Sequence, residues 1–209
     1  MTLDALDLAF ITRWETLGDR PAPPAAAVTT ESVTTTGRLG SPPAAVDAML
    51  VARLLEVARP QWESLADEVE AARLAGHRVI AVTGREPGEG RSTLVACLGS
   101  TLHDRRRDVT THWAAGIPAS SDCHTVMGHD RLIVLVDAGV WFPPGPIHRQ
   151  RLLVKSVGCD AAIIVRRADR PAAPAHALAL AAIGVTPLGE VVTFAAGGGR
   201  EPGRPEGFA

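Results

Sequence analysis

The chain has 209 residues, an apolar fraction of 46% and a formal net charge of −2, enough for one α/β domain with flanking segments and too short for two full cores. The near-neutral balance gives no global field able to hold a polyanion, so nucleic acid is not an expected partner and an anionic membrane would require a local basic patch. Cys97, Cys123 and Cys159 are odd in number and lack any C-x-x-C pairing, which supports neither a disulfide framework nor a zinc site and points to a reducing compartment.

Residues 1–10 carry no basic region ahead of an apolar core, and no stretch approaches the ~18 uninterrupted apolar residues of a membrane span, so a cytoplasmic location is expected. Leu3, Leu6, Phe10, Trp14 and Leu17 recur at three- and four-residue spacing, predicting a short amphipathic helix over residues 1–18 that covers either its own domain or a partner. Pro, Ala, Thr, Gly and Ser dominate residues 19–44, a composition that reads as a disordered linker. A helical region is predicted over 45–75, interrupted at Pro60 and stopped at Gly76. Short apolar runs then alternate with helical stretches: strands over 79–82, 109–113, 132–136, 161–165 and 188–192, helices over 92–103, 147–157 and 172–183. Such alternation, with strands apolar on both faces, predicts an α/β domain over 45–194 built on a mostly parallel sheet covered by helices. Residues 195–209 read as a disordered Gly/Pro/Arg tail.

The segment over 78–96 orders a buried strand, a Gly-rich turn and the first turn of a helix. Backbone N–H groups in such a turn, together with the positive helix N-terminus, form a concavity for phosphate oxygens, and Gly88 and Gly90 keep it free of bulky side chains. In the general pattern G-x-x-x-x-G-K-[ST] the lysine bridges the β- and γ-phosphates and the next hydroxyl holds magnesium. Here Arg85 stands where the first Gly belongs, beside Gly84, and Arg91 stands where Lys belongs. Arginine keeps the charge but is longer and planar, so the exchange is not conservative in a tight loop. Lys155 is the only lysine, the rest of the 21 basic residues being arginine, so Arg91 is also compatible with compositional drift at a position released from catalysis.

The residues Ala81-Val82-Thr83, Pro87-Gly88-Glu89-Gly90 and Ser92-Thr93 resemble the loop of the bacterial tyrosine kinases of capsular and exopolysaccharide synthesis, within the ParA/MinD group of P-loop ATPases. The strand ending at Asp137 is similar to that family's Walker B strand, and residues 158–169 and 184–192 are similar to its later strands, so the resemblance spans about 60–194. It implies a P-loop NTPase-like fold and ATP with Mg2+ as ligands. It implies nucleotide contacts at Pro87, Gly88, Glu89, Gly90, Arg91, Ser92 and Thr93. Ser92 and Asp137 would serve the magnesium, and Arg91 and Asp137 would stand in the catalytic positions. Three departures count against catalysis: Arg91 itself, a Walker A′ strand at 109–113 without a carboxylate, and the absence of any tyrosine, which excludes autophosphorylation of a tyrosine cluster. The resemblance thus implies a regulator or scaffold in envelope polysaccharide biosynthesis or export, peripheral at the inner face of the cell membrane through a membrane-embedded polysaccharide co-polymerase, with homo-oligomers compatible. The alternative is an active ParA/MinD-type ATPase in which Arg91 does the lysine's work.

Other residues carry weaker signals. Arg105-Arg106-Arg107 is the best candidate for a basic patch, weighed against a helix end that complements its macrodipole. Asp122, Cys123, His124 and His129 match no closed zinc pattern. Trp141-Phe142-Pro143-Pro144 follows Asp137 on the ligand side of an α/β sheet, as core, as a cap over the site or as an exposed contact for another subunit.

Overall fold

The structure is a computed structural model that describes residues 13–16, 46–113 and 132–194. Its elements in chain order are β1 (Arg13–Thr16), α1 (Ala48–Val57), α2 (Arg59–Leu74), β2 (Val79–Gly84), α3 (Arg91–Asp104), β3 (Asp108–His112), β4 (Leu132–Val140), α4 (Arg149–Lys155), β5 (Ala161–Arg167), α5 (Pro174–Ala181) and β6 (Thr186–Thr193). The strands form one six-stranded sheet in the order β1-β6-β5-β2-β4-β3. Every neighbouring pair is parallel except β1 with β6. The expected α/β class, a mostly parallel sheet covered by helices, is what forms, and it is consistent with a P-loop NTPase-like fold.

Both faces of the sheet are covered, which is why β2 is buried at every position and β4 at most. On one face α1, α2 and α3 bring Leu54, Trp62, Leu65, Val69, Leu94 and Leu98 against Ile80, Val82, Ile133 and Leu135. On the other, α4 and α5 bring Leu152, Ala177 and Leu180 together with Trp141 and Phe142 against Val79, Ala81, Val134 and Val136. Each fully buried Leu, Ile, Val or Phe contributes about 1.5–3 kcal/mol relative to exposure, so this double layer is the main source of stability.

The predicted break at Pro60 is real but falls two residues earlier, at Ala58. Ala58 ends α1 and begins α2, which places Pro60 in the first turn where its missing N–H costs nothing. The Trp62 indole donates to the Leu54 carbonyl at 3.0 Å across the joint. Gly76 stops α2 as expected, with φ +95 and the His77 N–H returning to the Ala72 carbonyl at 3.0 Å.

One expectation is corrected. Residues 13–16 lie in a strand and not in the predicted amphipathic helix; Trp14 pairs opposite Val191. The physical reason is the open edge of β6, whose unpaired N–H and C=O row is satisfied by adding a strand, and Trp and Thr suit that role. The remainder of the 1–18 segment, the 19–44 linker and the 195–209 tail lie outside the described residues. For Arg105-Arg106-Arg107 the helix-end reading holds and the basic patch does not form. Arg105 sits on Glu63, Asp67 and Glu70 of α2, and Arg107 on Glu70. Arg106, at φ 58, takes the left-handed cap position of α3, and the Arg107 N–H returns to the Leu102 carbonyl at 3.1 Å. The Arg107 hydrogen bond is the leading cause that holds the Glu70 carboxyl below its usual range, against burial, with Arg105 adding to it. Among the described residues, no helix is long and apolar enough to cross a membrane.

Candidate functional site

The site forms where β2 gives way to α3, at the carboxyl end of the central strand. Both loop glycines have positive φ, +77 at Gly88 and +84 at Gly90, a conformation that Gly adopts without steric cost. A Cβ on Gly88 would meet nothing within 4 Å, so its role is backbone conformation and not the removal of bulk. The steric requirement falls on Gly84, where an added Cβ would lie 2.1 Å from a Glu89 carboxylate oxygen and 3.0 Å from the Val165 carbonyl.

Glu89 organises the loop. Its side chain is 1% exposed, and one oxygen accepts from the Arg85 N–H at 2.7 Å, the Glu86 N–H at 3.1 Å and Arg91 Nη1 at 3.1 Å. The other oxygen is buried without a hydrogen-bond partner. Arg91 Nη1 also donates to the Glu86 carbonyl at 2.6 Å, and Arg91 Nε lies 3.7 Å from Asp137, at ion-pair and not hydrogen-bond distance. The guanidinium is thus held between two carboxylates and a loop carbonyl.

Asp137 reaches the site because β4 pairs with β2 in a register that sets it opposite Val82. The strand runs past the predicted end at 136, through an irregularity around Gly139, to Val140. Ser92 Oγ donates to Asp137 at 2.5 Å, and the Gly139 N–H reaches the other carboxylate oxygen at 3.2 Å. Two distant residues lash the loop down. Thr193 Oγ1 donates to the Glu89 carbonyl at 3.0 Å, and Arg170 pairs with the Glu86 carboxylate at 2.9 Å.

The structure brings Glu89, Arg91, Ser92 and Asp137 together and leaves Pro87 and Gly88 exposed at the turn. Ser92 and Asp137 suit a magnesium ion, a hydroxyl and a carboxylate side by side. The rest of the loop does not suit a triphosphate: its only inward cation is already neutralised, and a buried carboxylate places negative charge within the loop. The carboxyl end of β3, the strand read from sequence as a Walker A′ candidate, carries His112. Asp108 stands exposed at the opposite, amino end of that strand.

The aromatic pair after β4 is core: Trp141 is 4% and Phe142 2% exposed. Both backbone N–H groups donate to the Gly84 carbonyl at 3.2 Å. Phe142 stacks on His176 with ring centroids 4.2 Å apart, and burial, followed by the charge of Arg85, pushes the His176 pKa below its ordinary value of 6.5. Pro143 and Pro144 are exposed. Asp122, Cys123, His124 and His129 lie outside the described residues, among which no group of three metal-ligating side chains occurs. Cys97 is buried in α3, and burial pushes its thiol up to about 12.

The loop pattern flagged Glu89, but only as a nucleotide contact. Its position two residues before an arginine was the one available signal of an internal pair. Thr193 and Arg170 had no local signal, since each acts on the loop from far along the chain.

No family model and no characterised protein matches the chain in sequence. Among solved structures it is similar to the chimerical protein CapA2B2, with TM-score 0.45 and 11% identity over 64% of this chain and 83% of that one. It is also similar to the kinase domain of Escherichia coli tyrosine kinase ETK, with TM-score 0.40 and 12% identity over 68% of this chain and 80% of that one.

Proposed function

We propose that the protein is a P-loop-derived regulator or scaffold, non-catalytic or weakly active, in cell-envelope polysaccharide biosynthesis or export, working beside a membrane-embedded polysaccharide co-polymerase. The process and the partner come from the sequence resemblance of the loop and the Asp137 strand. The loss of catalysis rests on one observation: Arg91 is spent on Glu89, the Glu86 carbonyl and Asp137. Binding of a triphosphate would have to break these contacts and bring its phosphates against a carboxylate, a cost that a free lysine in an open loop does not meet.

Isothermal titration with ATP and magnesium tests this reading. The wild type and Arg91→Lys should both bind more weakly than about 1 mM, because Glu89 remains in the loop in each. The Ser92–Asp137 pair, at 2.5 Å, is the observation that favours the second reading, an active ParA/MinD-type ATPase. Micromolar binding with turnover abolished by Asp137→Ala would establish that reading in place of the first.

A further inference from the structure

With Arg105 and Arg107 committed to α2, the basic patch that a chain of net charge −2 needs for an anionic surface lies elsewhere. The layer made by α4 and α5 has it. No Asp or Glu occurs between residues 138 and 159, nor between 171 and 189, and the charged groups of these two segments are Arg149, Arg151 and Lys155. The carboxylates that flank them are occupied. Asp160 accepts from the Arg78 and Val79 N–H groups at 2.9 Å, Asp169 pairs with Arg167, and Glu190 lies 3.0 Å from Arg166.

The same layer exposes aliphatic side chains: Val154 is 75%, Leu178 71% and Val157 54% exposed, with Ile147 and Leu153 each at 41%. These are most of the large exposed apolar residues among the described ones. The two helices are joined where Arg149 donates to the Ala182 carbonyl at 3.5 Å, and Lys155 is held at the other end of α4 by the Val140 carbonyl. Gln150, Arg151, Val154 and Lys155 line a shallow open depression between the charges.

We infer that the α4–α5 face docks directly on an anionic lipid bilayer, with Arg149, Arg151 and Lys155 at the headgroups and Val154, Val157 and Leu178 at the acyl boundary. Among the described residues this face sets cations beside exposed aliphatics with no free carboxylate, the combination that binds such a surface by charge attraction plus apolar burial. A second copy of the chain fits poorly, because a two-fold contact would set the same cations against each other. A nucleic-acid duplex offers no apolar surface to cover the exposed Val154, Val157 and Leu178, and a single strand would stack on exposed aromatics that the described residues of this face lack. A protein interface lacks the exposed Tyr, Trp, Phe or Met anchors that mark one. The inference is independent of what the phosphate loop binds.

Lys155 is the only lysine, so amine acetylation of the full-length protein reports on this face, with the N-terminal amine as internal control. Vesicles with about one-third phosphatidylglycerol should co-sediment the protein at about 0.1 M salt, release it at about 0.5 M, and slow Lys155 acetylation; pure phosphatidylcholine vesicles should do neither. Arg151→Glu and Val154→Asp, both at exposed positions, should each lower vesicle affinity about fivefold or more while the thermal melt is unchanged. Equal sedimentation with neutral and anionic vesicles overturns the inference. So does binding that survives both substitutions, or Lys155 labelling indifferent to bound vesicles.

Discussion

Glu89 is a full charge with 1% of its side chain exposed, tolerable only because two N–H groups and Arg91 converge on it. Glu89→Ala would leave the Arg85 and Glu86 N–H groups without an acceptor and remove one of the three Arg91 partners, and should cost about 2–4 kcal/mol in urea unfolding. A loss below about 0.5 kcal/mol would mean that the carboxylate is dispensable to the loop. His176 gives the molecule a pH term of known sign. Burial, with Arg85 adding to it, lowers its pKa from 6.5 in the folded chain, so the unfolded chain binds the proton first as pH falls. The contribution is present above about pH 6.5 and is lost as pH drops toward the lowered folded value. His176→Phe, which keeps a ring on Phe142, should flatten the decline of unfolding free energy below pH 6.5; identical slopes in wild type and variant would remove His176 as a source of that decline.

At the level of elements, the periodic signals were readable wherever packing and propensity agree. Strands 2 to 6, the five helices and the stop at Gly76 follow from apolar runs and chain punctuation. The exception among the described residues is β1, where helical spacing of Leu3 through Leu17 pointed one way and an open sheet edge decided the other for residues 13–16. The β-propensity of Trp14 and Thr16 is too weak a local signal to announce a strand by itself, because the partner that decides it is β6, at the far end of the chain. The pairing is testable through backbone chemistry alone. Trp14→Pro locks φ near −65° in the middle of the strand and should raise amide exchange at residues 189–192 of β6 by about tenfold or more, while β2 stays protected. Unchanged protection in β6 would show that β1 does not hold that edge. The same dependence on distance applies to Arg105, whose triplet read as a solvated helix end or a nucleic-acid contact until three acids of α2 were brought beneath it.

Across the whole molecule, the candidate site was half legible. The order of strand, glycines, hydroxyls and helix is the pattern a phosphate loop requires, and the apolar run ending at Asp137 puts a carboxylate beside it, since parallel strands deliver their carboxyl ends to one edge. What sequence order cannot supply is the state of that loop. The turn from nucleotide contact to internal ion cluster is fixed by which groups Glu89 and Arg91 meet in three dimensions. One of the braces on that cluster also sets a timetable. Thr193 reaches the Glu89 carbonyl from 104 residues downstream, so on a ribosome adding about 5–20 residues each second the loop waits roughly 5–20 s after its own synthesis for this hydrogen bond. Through that interval residues 85–91 exist without their final clamp, and the loop is among the last parts of the domain to become what the folded protein shows.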